Sequence, residues 1–299
     1  VTFLREITYQ YLRLANPELR DRLGDGLSEG TSLDREDSFL KNFKKSYKSE
    51  YKFQRVFLVS GEKLVYNGFG VMHGFMPVSQ LKEAARKKYN SSINEYLISC
   101  FVYATYQTFL GDMTEKKAIR VAVPVNLRPY FDSNTTKNFF AMVSAEFIPD
   151  RNDYTFAEVA QIIHDSLQSQ ITKEHLESIF SFTVSNTKLM IARVIPLPIK
   201  NLAMRLFYNK TALSNTTTIT NIGNVQVLPE YVEYIDNFYC FIPFSKGQEI
   251  KGTITSYRDT LVYTFVSAYM DTTIQKKIFR QIASDGVDVR IETNGVYYE

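Results

Sequence analysis

The stretch that most limits the fold is residues 92–110, SINEYLISCFVYATYQTFL. Ser92 and Glu95 stand in the S-x-x-E spacing of a capping box, in which each side chain satisfies an amide left open at the helix start by the other. After Glu95 no charge occurs before Gly111, and the predicted helix is apolar almost all the way round. Such a helix has to be covered by a sheet and by other helices rather than float on a surface. The surrounding chain must therefore build layers. Its 299 residues are ample for that, as one large or two medium domains. With 44% hydrophobic and 14% aromatic residues, disorder is excluded for most of the length.

Strands to cover the helix follow at once. Ile119-Arg120-Val121-Ala122-Val123 reads as a buried strand that stops at Pro124, and Asn126-Leu127-Arg128-Pro129 follows as a polar segment. After a Ser/Asn/Thr loop a second apolar run begins at Asn138-Phe139-Phe140. Arg128 offers a planar fork of five donors that could pin this loop through carbonyls or carboxylates. A second informative run is LSNTTTITNIGNVQVL at 213–228, where Thr and apolar residues alternate as in a strand with one hydroxyl-bearing face. It breaks at Asn221-Ile222-Gly223. Glycine there lets the backbone bulge or approach a ligand closely, and Asn supplies a donor and an acceptor. An edge strand with a solvated Thr face fits the same residues.

The remaining elements are read in chain order. Leu4, Ile7, Tyr11 and Leu14 give residues 1–15 helical spacing, and Asn16-Pro17 stops that helix. Residues 16–50 alternate charge with Gly and Ser and read as a solvated linker. Its Lys41, Lys44, Lys45 and Lys48 could alternatively meet an acidic partner such as a nucleotide phosphate. Residues 53–60 and 64–71 predict a hairpin, and Pro77 predicts the first position of a helix to about Lys88. Thr155 and Glu158 form another capping box, and helices are expected over 173–194 and after Pro198. A strand at 238–244, a hairpin of 250–257 with 261–269, a helix capped by Asp271 and ending at Gly286, and a strand at 287–292 complete the series. The whole predicts an α/β two-layer sandwich with a mixed, largely antiparallel sheet over 51–299, and residues 1–15 as an outlying helix.

Several function classes drop out. The net charge of +3, from 35 basic and 32 acidic residues, leaves no nucleic-acid footprint. Cys100 and Cys240 sit in apolar runs and read as buried thiols. The three histidines have no metal-ligand spacing; His164 and His175 read as surface residues and His73 as a satisfied structural one after a strand. No apolar run is long enough for a membrane span, and no signal peptide is visible, so a cytoplasmic location is expected.

Pro124-Val-Asn-Leu-Arg128, Asn138-Phe139 and Thr220-Asn221-Ile222-Gly223, in this order, resemble three elements of the chloramphenicol acetyltransferase-like superfamily. That superfamily includes alcohol acetyltransferases, polyketide-associated acyltransferases and nonribosomal-peptide condensation domains. The opening VTFLREITYQYL resembles the helix that follows the family's His-x-x-x-Asp-Gly signature. The resemblance implies that residues 51–299 form the second of two half-domains, with the first half-domain as partner. It implies an acyl-CoA-dependent O-acyltransferase, acetyl-CoA as co-substrate without a covalent cofactor, and a small alcohol or amine as acceptor. Asn138, Thr218, Thr220, Asn221 and Gly223 would line the tunnel between the halves, with Asn126 and Arg128 positioning it. No H-x-x-x-D-G occurs here, so the general base is expected just before Val1, and the chain by itself is expected to be inactive and prone to self-association. Lys137 stands where many relatives carry Gly, and there is no DFGWG, which favours the bacterial alcohol acetyltransferase branch. A condensation reaction on carrier-protein thioesters, or a scaffold that kept the fold without chemistry, are the alternatives.

Overall fold

Seven strands make one sheet in the order β3-β2-β4-β5-β6-β1-β7 in the computed structural model, which describes residues 2–22, 36–44, 54–111, 117–188 and 196–296. They are β1 Gly70–Pro77, β2 Ile119–Asn126, β3 Phe140–Phe147, β4 Thr217–Asn224, β5 Ile250–Tyr257, β6 Thr260–Ser267 and β7 Arg290–Thr293. β2, β4 and β5 are parallel neighbours; every other pairing is antiparallel. Helices are α1 Thr2–Ala15, the short α2 Ser38–Lys41, α3 Val78–Tyr89, α4 Ile93–Phe109, α5 Phe156–Gln170, α6 Lys173–Lys188, α7 Leu197–Ala212 and α8 Thr273–Ser284. The fold is a mixed, mostly antiparallel α/β sheet.

Alternation along each strand decides what lies on which face. Met72 and Met76, Val121 and Val123, Ala141 and Val143, Ile219, Ile254, Tyr263 and Phe265 all enter one core with α3, α4, α5 and α8. α4 is the centre of that layer, buried along its length from Glu95 to Tyr106. Its capping box is formed: Ser92 Oγ accepts from the Glu95 amide at 3.3 Å, and Glu95 Oε2 accepts from the Ser92 amide at 2.8 Å. Asp285, just beyond α8, ties the layer together, accepting from Tyr89 and Tyr96 hydroxyls at 2.7 Å each and from Lys88 Nζ at 3.3 Å. Where β1 passes under α8, Gly74 is required because the Phe279 ring occupies the space of a side chain.

The opposite face of the sheet carries Thr218, Thr220, Thr253, Thr264 and His73. A smaller cluster covers part of it, with Tyr9 and Leu12 of α1, Leu19, Tyr231, Ile235 and Tyr257. Tyr9 stacks on Tyr231 with centroids 4.2 Å apart, and its hydroxyl accepts from the Leu228 amide.

The structure corrects several expectations. Residues 54–60 form no strand; they are held by single bonds such as the Phe57 amide to Ala118 O at 2.8 Å, and residues Val65–Asn67 form a 3-10 turn. The strand starts at Gly70, where β6 and β7 supply partners on both sides. His73 is therefore inside a strand. Pro77 ends β1 instead of opening α3, whose first amides are capped from afar by Asp259, including Ser79 N to Oδ1 at 2.8 Å. Residues 238–244 lie across the sheet without laddering, because both edges of β5 are taken by β4 and β6. β2 runs through Pro124 to Asn126: Pro124 shares the phase of Arg120, whose carbonyl faces the β4 side, and β4 pairs only at Val121 and Ala122, so no ladder bond is lost. The helix expected after Pro198, and expected to be the shorter of the two, starts at Leu197 with Pro198 in its first turn and is 16 residues long, as long as α6. The stripe Leu4, Ile7, Tyr11 and Leu14 on α1 points outward, while Tyr9 and Leu12 pack inward.

Within the expected linker, residues 36–44 are docked. Ser38 Oγ meets Ser133 Oγ at 2.7 Å, and Thr135 Oγ1 donates to Glu36 O at 2.8 Å. Lys41 pairs with Glu36 and Asp132, and Lys44 with Glu177, so these cations already have carboxylate partners. Lys45, Lys48 and the end of the helix expected to Val194 lie outside the described residues.

Candidate functional site

Parallel strands point their carboxyl ends the same way, and β2 and β4 are parallel with Ala122 level with Thr218. Four residues further on, Asn126 and the Asn221–Gly223 break therefore stand at the same end of the sheet. β3 enters at that end too, with Phe140 opposite Asn126 and the Phe139 carbonyl accepting from the Leu127 amide at 3.1 Å. Asn138 lies just before it. Because β2 and β4 cease to pair after two residues, they part at this end. Crevices at the carboxyl ends of strands are where ligands commonly bind in open α/β sheets. By alternation, Asn126, Thr218 and Thr220 lie on the face away from the helix layer, as do the exposed Phe140 and Met142.

The site residues differ in what they have free. Thr218 Oγ1 donates to Gln248 Oε1 at 2.8 Å, so its proton is used and its lone pairs remain. Thr220 and Asn138 have no side-chain hydrogen-bond partner among the described residues. Asn221 Oδ1 accepts from the Gly223 amide at 2.8 Å, and its Nδ2 reaches Asn94 Oδ1, in the first turn of α4, at 3.4 Å. The register of β4 against β5 slips between Asn221 and Gly223, so the break is a true bulge. Gly223 has φ of 82°, and nothing lies within 4 Å of the position of a Cβ. Glycine is thus needed for its backbone angle, whereas no close approach by another protein atom demands it.

Arg128 acts as the pin. Its guanidinium donates to the carbonyls of Thr135 at 3.1 Å and Lys137 at 2.7 Å, and to Asn126 Oδ1 at 3.3 Å. Asn126 Oδ1 also accepts from the Arg128 amide at 3.2 Å. These bonds fix the 128–138 loop that presents Asn138.

None of the histidines touches these residues, although His73 is level with Thr220 on the same face, three strands away. His175 is exposed. His164 is not a plain surface residue: its Nδ1 is 3.3 Å from Glu95 Oε1, which also accepts from Gln168 at 3.0 Å. Burial would raise the Glu95 carboxyl, but hydrogen bonds from Ser92, Gln168 and His164 outweigh it and hold the group below the usual range. His73 Nδ1 is 2.8 Å from Thr264 Oγ1, and the edges of Tyr239 and Phe241 meet its ring. Burial lowers its pKa and so favours the neutral imidazole. Burial likewise pushes the Cys100 thiol well up.

Gln248 and Asn94 are the site neighbours that sequence reading missed. Gln248 is 30 residues from Thr218, with no periodicity linking them. Asn94 stood inside the capping-box segment, where a polar residue beside an open helix terminus is a usable signal.

No protein-family model and no curated protein matches the sequence. Solved structures do show partial likeness. An epimerization domain from the third module of tyrocidine synthetase B is 10% identical, with a TM-score of 0.46 over 86% of this chain and 56% of that one. Polyketide synthase associated protein 5 from Mycobacterium tuberculosis is 11% identical, with a TM-score of 0.45 over 82% and 57%. The trichothecene 15-O-acetyltransferase from Fusarium sporotrichioides is 11% identical, with a TM-score of 0.43 over 76% and 48%. The chain thus spans about half the length of these neighbours.

Proposed function

We propose that these residues form one wall of an acyl-transfer site, in a protein that moves an acyl group from a coenzyme A thioester to an alcohol. The observation that supports this is the meeting of the three motif segments at one end of the sheet; Asn126, Thr218 and Thr220 are on its outer face, whereas Asn221 has the phase of the core residue Ile219 and reaches Asn94 on the side of α4. The TNIG element is about 80 residues beyond the neighbouring PVNLR and NF elements, and a shared site is what their resemblance to acyltransferase elements implies.

In this reading the wall binds and polarises; it does not carry the base. Asn138 Nδ2 and Thr220 Oγ1 are donors without internal partners, suited to a thioester carbonyl whose oxygen gains charge in the transition state. One well-placed donor of this kind contributes about 3–4 kcal/mol to such a step. Arg128 sets the height of Asn138 through the Thr135 and Lys137 carbonyls. Phe140 and Met142 supply an apolar floor beside these donors. Deprotonation of the acceptor hydroxyl falls to an imidazole outside these residues, since none of the three histidines stands in the signature; His73 shares the face and the cross-strand row of Thr220 through Thr253 and Thr264, but it is three strands away and its Nδ1 is engaged by Thr264.

The test is hydrogen exchange of the chain with and without a non-hydrolysable acetyl-CoA analogue. Joint protection of 126–140 and 218–224 is expected, reduced by Asn138→Ala and Thr220→Val, with no acetyl transfer to alcohols by the chain alone. Protection at only one segment, or at neither, refutes the shared wall.

A further inference from the structure

The face of the sheet away from the helix layer carries a lysine on its middle strand, β5. Ile250 and Ile254 of β5 enter the core, and Gly252 faces Ile219, Tyr263 and Phe265 there, so Lys251 stands on the face of Thr218 and Thr220. Continuing the pairing of Ile219 with Gly252 by one residue sets Lys251 beside Thr218, with Val266 of β6 on its other flank. Lys251 is half-buried in this position.

Its charge has no counter-ion among the described residues, and no hydrogen bond reaches its Nζ. The carboxylate two positions back, Glu249, is paired with Lys63 at 3.1 Å. Burial lowers the pKa of Lys251, with no carboxylate to offset it. Taking an unpaired ammonium partly out of water costs free energy, which an anion bound from outside would return. A second donor stands in the same neighbourhood. Gln248 is 8% exposed, and its Oε1 accepts from Thr218 Oγ1 at 2.8 Å, which holds the amide in place. Gln248 Nε2 has no acceptor among the described residues. Thr218, bonded to Gln248 and level with Lys251, brings the two donors together.

One ammonium and one neutral amide balance a single negative charge. A phosphate group carries about 1.5–2, and Lys63 is already committed to Glu249. The charge count thus favours a carboxylate. At about 3.3 Å per residue and about 4.8 Å between strands, the Cα atoms of Lys251 and Thr220 are roughly 8 Å apart.

We propose that Lys251 and Gln248 form a carboxylate-binding subsite, so that the substrate taken by this wall bears a carboxylate several bonds from the group that reacts beside Thr220. Calling the ligand a substrate rests on the acyl-transfer reading; the subsite itself does not.

The experiment is an amide NMR titration of the 299-residue chain with ω-hydroxyhexanoate, with hexanediol, in which an alcohol replaces the carboxylate, and with inorganic phosphate, all at one ionic strength. Hydroxyhexanoate should shift the amides of 218–220 and 248–252 saturably. Hexanediol should bind at least about tenfold more weakly, and Lys251→Met should lower the affinity for hydroxyhexanoate about ten- to a hundredfold. Lys251→Gln should give the same loss through a polar side chain, whereas Lys251→Arg keeps the charge and should keep binding. Unchanged affinity in Lys251→Met and Lys251→Gln, equal binding of the diol, or tighter binding of phosphate overturns the proposal. Hydrogen exchange of the wild-type chain with the acetyl-CoA analogue separates the two readings. Protection by the analogue without binding of hydroxyhexanoate defeats the subsite alone. Binding of hydroxyhexanoate without protection by the analogue defeats acyl transfer alone. Protection that is lost in Lys251→Met assigns the lysine to a phosphate of coenzyme A and overturns the carboxylate.

Discussion

Replacing Gly74 by alanine tests the packing that sets the helix layer on the sheet. The added methyl would stand 2.1, 2.6 and 2.9 Å from the Cε1, Cζ and Cδ1 atoms of Phe279. The ring cannot swing away freely: it is 3% exposed, and Tyr263 and Phe265 meet it with centroids 6.4 and 6.1 Å distant. Either α8 lifts or the ring leaves its rotamer, and overpacking of this kind costs about 1–3 kcal/mol. Alanine returns about 0.5–1 kcal/mol relative to glycine in a strand. The expected net loss is about 1–2 kcal/mol. Phe279→Leu alone should also destabilise, by removing ring contacts. Combined with Gly74→Ala it should make room for the methyl, so the double variant is more stable than the sum by about 1 kcal/mol. Urea unfolding with a common slope measures all four proteins. An unchanged midpoint for Gly74→Ala, or additivity within about 0.5 kcal/mol, would show that the clash is absent.

Three further outcomes are expected. Arg128→Ala should speed hydrogen exchange across 129–138 while costing only about 0.5–1.5 kcal/mol globally, because the side chain is exposed; Arg128→Lys should not restore protection, since an ammonium cannot bridge both carbonyls. Asp285→Ala leaves the Tyr89 and Tyr96 hydroxyls without their acceptor and should lower stability by about 2–4 kcal/mol in urea titration. Glu95 has a folded pKa below its ordinary value, so its contribution is complete above the carboxylate range and lost as pH falls through the depressed value. The stability gap between wild type and Glu95→Gln should therefore close on going from about pH 7 to about pH 3, and a gap constant over that range would contradict the bonding described.

What was legible in the sequence were features whose cause is local. Both capping boxes formed, because a Ser or Thr three positions before Glu contains its own partner. The hairpin across Arg258-Asp259 formed with a register ending at Tyr257 and Thr260. Features set at a distance were not legible. α3 begins one residue later than Pro77 suggests, since Asp259, 180 positions away, supplies the cap. The outward face of α1 was misread because the pair that buries it, Tyr9 with Tyr231, spans most of the chain. Of the candidate site, the motifs could be named in advance, and Arg128 could be suspected as a pin. That Thr218 is engaged by Gln248 while Thr220 is open depends on where residues 245–249 cross, which no periodicity encodes.

The two margins of the sheet bear on how copies of this chain can associate. On β3 the outward backbone is already answered by side chains: Ser144 N and O bond Gln170 at 3.1 and 2.7 Å, and Glu146 N bonds Ser166 Oγ at 3.0 Å. At the other margin β7 is only four residues long and carries Arg290 and Glu292. Strand-to-strand growth into fibrils needs a free, flat template, and neither margin provides one. Association at high concentration should therefore proceed through the exposed apolar helices and yield small, amorphous oligomers that do not bind amyloid dyes.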